Sequence, residues 1–294
     1  MKLLDGRGLS NDLYPILKQK ISKYNKTIKL VIYFIGESLE SSAYIKMKSK
    51  KCAELGITCV IERFTNVSKN SVKKIIESIR IDNRDDDVHG IMVQLPLPFE
   101  IYDYTNEIIN TINVYKDVDG LTNASLGNMV TNTINIECLE KTPFFISSTI
   151  YGVLKLIDHY NIEIEGKNVV VIGNSSLIGL PVSIILSKCG ATVEICHIYT
   201  DCLKNHTINK DIVISGCGVM GLIKEDMISD NATIIDIGIS VEIDENGKRS
   251  IHGDCDFESV KDKCNMITPV PGGVGPMTIY SLIEQLCKTI DTTQ

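Results

Sequence analysis

The chain has 294 residues, 44% of them hydrophobic and 23% charged, with a formal charge of −7. That length allows two domains, each able to bury a core, and the acidic balance excludes the broad cationic field that sequence-independent nucleic-acid binding requires. No apolar run reaches the roughly 18 residues of a membrane-spanning helix, and no long block of like charge marks disorder.

The N-terminus, MKLLDGRGLSNDLYPILKQ, has neither the apolar core of a secretory signal nor the Arg-rich character of a transit peptide. The protein is therefore expected to begin at Met1 and to stay in the cytoplasm. A helix-like pattern follows at once. A strand is predicted over 28–35, a helix over 39–55 ended by Gly56, a strand over 58–61 and a helix over 71–81. The strand predicted over 90–94 is closed by Pro96 and Pro98, which cannot donate to a ladder. After a connecting region near 138–150 come a helix over 152–160, a strand over 168–172, a helix over 177–189 and strands over 191–196, 211–215 and 233–237. A last helix, 278–289, is expected to pack back on the first domain. Strands alternating with helices predict an α/β fold with mainly parallel sheets.

Ten cysteines form no CxxC pair and have no nearby histidine at zinc spacing. They are expected to be reduced thiols that pack as small hydrophobes.

Two glycine patterns compete for a phosphate-binding role. Gly173-Asn174-Ser175-Ser176-Leu177-Ile178-Gly179 follows a strand and precedes an amphipathic helix, whose N-terminal amides and dipole suit a diphosphate. Gly216-Cys217-Gly218-Val219-Met220-Gly221 is a literal GxGxxG, but the helical pattern after it is short. Context favours the first, with the second as a tight turn or a border of the same cofactor. The next strand ends in Cys196-His197-Ile198, with neither the acid that bonds a ribose hydroxyl nor the arginine that takes a 2′-phosphate. His197 is either a cofactor contact or a capping imidazole.

Tyr44 and Lys48 lie at i and i+4 on the predicted helix, so they share a face. A partly buried phenol and ammonium would each lower the other's proton affinity, giving an acid/base pair. Lys46, Lys50 and Lys51 support the plainer alternative of a solvated face. Gln94, at the carboxyl end of a buried strand, either bonds backbone or faces a cleft. Asp117 and Asp119 would share one face of an extended segment, but no third metal ligand is in view, and no metal is expected. Three glycines and three prolines between 269 and 278 argue against helix or central strand and for a rigid loop that lets backbone approach a flat ligand.

Together these segments resemble the methylenetetrahydrofolate dehydrogenase/cyclohydrolase family. The resemblance is carried by LLDGRGLS, SSAYIKMKSKKCAELGI, VHGIMVQLPLP, KDVDGLT, GNSSLIGLP, ATVEICH, IIDIGIS, GDCDF and ITPVPGGVGPMT, in that order. It implies a folate-binding catalytic domain (1–140 with 271–294) and a Rossmann-like NAD(P)-binding domain (141–270), with a cleft between them. The implied chemistry is oxidation of 5,10-methylenetetrahydrofolate to the methenyl compound, then hydrolysis to 10-formyltetrahydrofolate, in one-carbon metabolism that feeds purine biosynthesis.

By the same resemblance Lys48 is the essential group of the hydrolytic step, Tyr44 borders the folate, and Gln94 poises Lys48. Asp119 holds the pterin, and Val93, Leu95, Pro271, Gly272 and Gly273 line the folate. Gly173, Asn174, Ser175, Ile178, Gly179, His197, Ile198, Gly216, Gly218 and Ile239 would meet the dinucleotide. NADP is the family's usual cofactor; Asn174 and Ile198 replace the usual 2′-phosphate contacts, so NAD stands beside it. Ile150 replaces a proline of the family's pattern. The expected partners are tetrahydrofolate derivatives and a second copy of the chain, with neither nucleic acid nor membrane. A dehydrogenase lacking the hydrolytic step and a non-catalytic folate- or dinucleotide-binding regulator are the alternatives.

Overall fold

A computed structural model describes residues 1–243, 247 and 249–291. The chain forms two compact units: one of residues 12–128, 140–148 and 281–294, the other of 1–11, 129–139 and 149–280.

The first unit is built on a three-stranded parallel sheet of β2 (Lys29–Ile35), β3 (Thr58–Phe64) and β4 (Gly90–Val93), after β1 (Lys2–Leu3) of the other unit, with β2 in the middle. Helices α1 (Gly6–Ile21), α2 (Leu39–Glu54), α3 (Ser71–Arg84), α4 (Thr105–Ile109) and α5 (Asn123–Thr131) surround or adjoin it in sequence. Strand β2 is covered on both faces, which explains its unbroken apolar run. Side-chain alternation divides the work. Val31, Tyr33, Ile35, Ile91 and Val93 pack with Val72, Ile75, Ile76 and Ile79 of α3. Leu30, Ile32 and Met92 consequently point to the other face. Ser38 caps α2 by accepting from the Ser41 amide.

The second unit holds a six-stranded parallel sheet in the order β1-β11-β8-β7-β5-β6, from β5 (Asn168–Ile172), β6 (Thr192–Cys196), β7 (Ile212–Ser215), β8 (Thr233–Asp236) and β11 (Met266–Ile267). Strands β9 (Ser240–Ile243) and β10 (Arg249–His252) form a separate antiparallel pair. Helices α6 (Ser148–His159), α7 (Gly179–Lys188), α8 (Leu203–Thr207) and α9 (Phe257–Val260) complete it. The α/β class with mainly parallel sheets is as expected. Strand β1, which the sequence reading kept with residues 1–140, pairs with β11.

Helix α10 (Val274–Asp291) corrects the predicted start at 278. Pro276 lies in its first turn, where a missing N–H breaks no helical bond, so the proline that argued against helix is compatible with one. From Ser281 onward α10 belongs to the first unit, and Gln285 Nε2 donates to the carbonyls of Ile146 and Val118 at 2.8 and 3.1 Å. Helix α7 likewise starts at Gly179 rather than at 177. Among the described residues no helix is long and apolar enough to cross a membrane.

Candidate functional site

Lys48 sits midway along α2 and is only 4% exposed. Its Nζ donates to Gln94 Oε1 at 3.0 Å and lies 3.6 Å from Met92 Sδ. Burial lowers the lysine pKa, while the negative charge of Asp119, followed by Cys52 and Cys59, acts the other way. Gln94 is held in turn: its Nε2 donates to the Leu95 carbonyl at 2.8 Å, which leaves the amide oxygen for the amine. The peptide bond between Leu95 and Pro96 is cis. Lys46 and Lys50 are exposed, so the solvated-face reading holds for them and fails for Lys48.

Tyr44 is half-buried, with its ring centroid 6.0 Å from Lys48 Nζ. The expectation that each group would lower the other's proton affinity is corrected: burial, and not Tyr44, lowers the lysine, and the phenol moves the other way. Burial raises the Tyr44 pKa, because losing water disfavours the phenolate. Val93 is 3% exposed and packs in the α3-side core, with Leu95 against the same cluster. Met92 was not singled out from sequence, although alternation on β4 places it on the same face as Gln94.

The two aspartates part company. Asp117 is buried and turned inward, accepting from the amides of Leu121 and Thr122 and from Ser125 Oγ at 2.7–3.2 Å. It shapes the turn that follows, and Asp119, half-buried, is left to influence Lys48.

In the other unit, Pro271–Gly273 forms a loop locked against the N-terminus. The Gly272 carbonyl accepts from the Arg7 amide at 2.8 Å, and a side chain at Gly6 would collide with the Gly273 carbonyl. Gly272 has φ +125°, a conformation that favours glycine.

Both glycine loops leave the carboxyl ends of adjacent strands and touch. A Cβ at Gly173 would stand 2.9 Å from the Gly216 carbonyl oxygen, and one at Gly179 would stand 1.9 Å from that of Gly173. This close, side-chain-free cradle at the start of α7 fits a dinucleotide diphosphate. Asn174 and Ser175 are exposed, and Ser175 Oγ also accepts from the Ile178 amide at 3.2 Å. After Gly221 the chain turns into a short 3₁₀ segment, Glu225–Met227, so only the first glycine loop opens a helix.

His197 caps a turn: its Nδ1 accepts from the Tyr199 amide at 3.2 Å, while the ring itself is exposed. Ile198 is 89% exposed. Ile239, just past Gly238, is also exposed.

The cysteines are free in the structure. One grouping escapes linear spacing: donor atoms of Glu194, Cys196 and His206 lie within 4.8 Å of one another. Glu194 already pairs with Lys210 at 2.7 Å and with His206 at 2.5 Å, so this carboxylate has its countercharge.

The catalytic-domain model of the tetrahydrofolate dehydrogenase/cyclohydrolase family matches residues 4–119, and that family's NAD(P)-binding-domain model matches residues 147–294. The bifunctional protein FolD of Sulfurimonas denitrificans is 38% identical over 293 residues, covering 98% of this chain and 96% of that one. The crystal structure of the bifunctional FolD enzyme from Campylobacter jejuni is 37% identical, with a TM-score of 0.89 and full coverage of both chains. A Trypanosoma brucei dehydrogenase-cyclohydrolase, solved with NADP and an inhibitor, is 27% identical at TM-score 0.88, covering 98% and 97%. The chain belongs to the tetrahydrofolate dehydrogenase/cyclohydrolase family.

Proposed function

We infer that the protein oxidises 5,10-methylenetetrahydrofolate to 5,10-methenyltetrahydrofolate and hydrolyses that product to 10-formyltetrahydrofolate. The observation that carries the hydrolytic half is the buried Lys48 amine, bonded to Gln94 and biased by burial toward its neutral form. A neutral amine takes a proton from water as the water oxygen bonds to the electrophilic methenyl carbon. The carbon–nitrogen bond to N5 then breaks, N5 takes up one of the two water protons, and the other leaves to solvent. Gln94 holds the amine in place and, being neutral, does not hold it protonated.

Asp119, by this reading, accepts hydrogen bonds from the pterin, and Tyr44 offers its phenol and ring to the folate. Val93 and Leu95 contribute the strand end beside Gln94, and Pro271, Gly272 and Gly273 contribute backbone. The folate-binding domain is assigned to 1–140 with 271–294, and the dinucleotide-binding domain to 141–270.

A bound nicotinamide dinucleotide supplies the hydride acceptor for the first step. Gly173, Asn174, Ser175, Ile178 and Gly179 would hold its diphosphate, and His197, Ile198, Gly216, Gly218 and Ile239 its remaining parts. No Lys or Arg occurs in 173–179 or 196–202. NADP is the family's usual cofactor, but here NAD is expected to serve at least as well. A homodimer, a cytoplasmic location and a supply of one-carbon units to purine biosynthesis complete the proposal.

The test is a pair of assays on the purified chain: methenyl formation with NAD+ and with NADP+, and hydrolysis of methenyltetrahydrofolate without dinucleotide. Turnover in both supports the reading. Oxidation without hydrolysis supports a dehydrogenase alone, and neither supports a binding protein.

A further inference from the structure

Asp254, in the GDCDF stretch, is wholly buried. Its Oδ2 accepts from Ser215 Oγ and the Cys217 amide at 2.8 Å, and from the Gly218 amide and Cys217 Sγ at 3.3 Å. Its Oδ1 has no partner among the described residues. The carboxylate also lies on Gly238, where a Cβ would fall 2.1 Å from Oδ1. Asp236 accepts from the amides of Gly238, Asp254 and Cys255 at 2.8–3.1 Å and so holds this segment from behind. One carboxylate therefore joins two loops, the one after β7 and the one after β8.

In the strand order β6-β5-β7-β8, the glycine loop after β5 takes the diphosphate and β6 lies on the adenosine side. The ends of β7 and β8, across β5, fall to the nicotinamide half. A neutral amide would bridge the same donors. Burying an anion with one orphan oxygen and only neutral donors is costly, and its charge acts over the adjoining loops at low dielectric. Among the described residues, Asp236, Cys217 and Cys255 lie beside it and bring no positive charge.

We propose that Asp254 is a positioning residue that fixes the Gly216–Gly218 and Gly238–Ile239 backbone, and whose uncompensated charge favours the oxidised, cationic nicotinamide over the reduced one. This rests on the reading that these loops receive the dinucleotide. The experiment titrates wild-type protein and Asp254→Asn with NAD+ and NADH, repeated with the NADP pair. Thermal melts verify that the variant is folded.

In Asp254→Asn, NAD+ is expected to bind about tenfold more weakly, and NADH to change by no more than about threefold. An unchanged ratio between the two forms, whether both affinities stay or both fall, overturns the electrostatic part. Wild-type protein is expected to bind NAD+ at least as tightly as NADH, so a clear preference for NADH overturns it too, even if the variant does not fold. Ser215→Ala keeps the charge and loses one tether. It is expected to raise the cofactor KM several-fold with kcat retained, and an unchanged KM overturns the positioning part. Wild-type protein that binds no dinucleotide defeats the underlying cofactor assignment instead, and methenyl hydrolysis tests the other activity separately.

Discussion

The Lys48 amine and the Gln94 amide oxygen, 46 residues apart in sequence, meet at 3.0 Å beneath a surface that leaves Lys48 only 4% exposed. The partner is a neutral acceptor in a place where an acid would fit. Gln94→Glu adds a charge that favours the ammonium, so hydrolysis at neutral pH is expected to fall about tenfold or more and to recover at higher pH. Rates across a pH series check this; a loss that does not recover at higher pH would separate Gln94 from the protonation of Lys48.

The wild-type pH profile carries a sign of its own. Burial disfavours the charged amine and moves its pKa below the ordinary 10.5, so the neutral form appears at lower pH than in a free lysine. Hydrolysis is therefore expected to rise with pH and level off before the ordinary lysine range. Asp119 opposes the shift, so Asp119→Asn is expected to move the inflection to still lower pH. Initial rates at saturating substrate measure both.

Stability has a separate titrating group in Asp236, whose pKa burial pushes up from 3.8 to about 6. The folded state holds this proton more tightly than the unfolded chain does, so this contribution is complete below pH 3.8 and fades as pH rises through about 6. The span is worth about 3 kcal/mol. Asp236→Asn is expected to lower stability outright, since an amide N–H2 cannot accept from the three backbone donors as the carboxylate does. It should also flatten this part of the pH dependence of Tm, which thermal melts at several pH values measure.

Cofactor choice is open to a gain-of-function test. With Asn174 and Ile198 exposed at the two strand-end loops, Asn174→Arg combined with Ile198→Arg supplies the missing cations. The double variant is expected to raise kcat/KM for NADP+ relative to NAD+ by about tenfold. Parallel assays with the two cofactors show whether the ratio moves.

Local signals were strong where one period or one breaker dominated. Strand β5 coincides with its predicted residues because NVVVI is an apolar run bounded by a polar residue and Gly173. Strands β1 and β11 have two residues each, too short for any period to register. Helix α10 starts ahead of residue 278 because its first turn tolerates Gly275 and Pro276, which break a helix elsewhere. Burial of Lys48 is invisible in spacing among so many lysines; it depends on Met92 and Gln94, which come from β4 and the residue after it. Asp254 gave no local signal of its tether, since its donors lie 36 to 39 residues away.

The most direct measurement is the rate at which Lys48→Met consumes methenyltetrahydrofolate, with methenyl formation followed in the same preparation. A thioether can neither take nor give the proton, so hydrolysis is expected to fall by about a hundredfold or more, while dinucleotide-dependent oxidation continues. Hydrolysis at the wild-type rate would contradict the role given to Lys48.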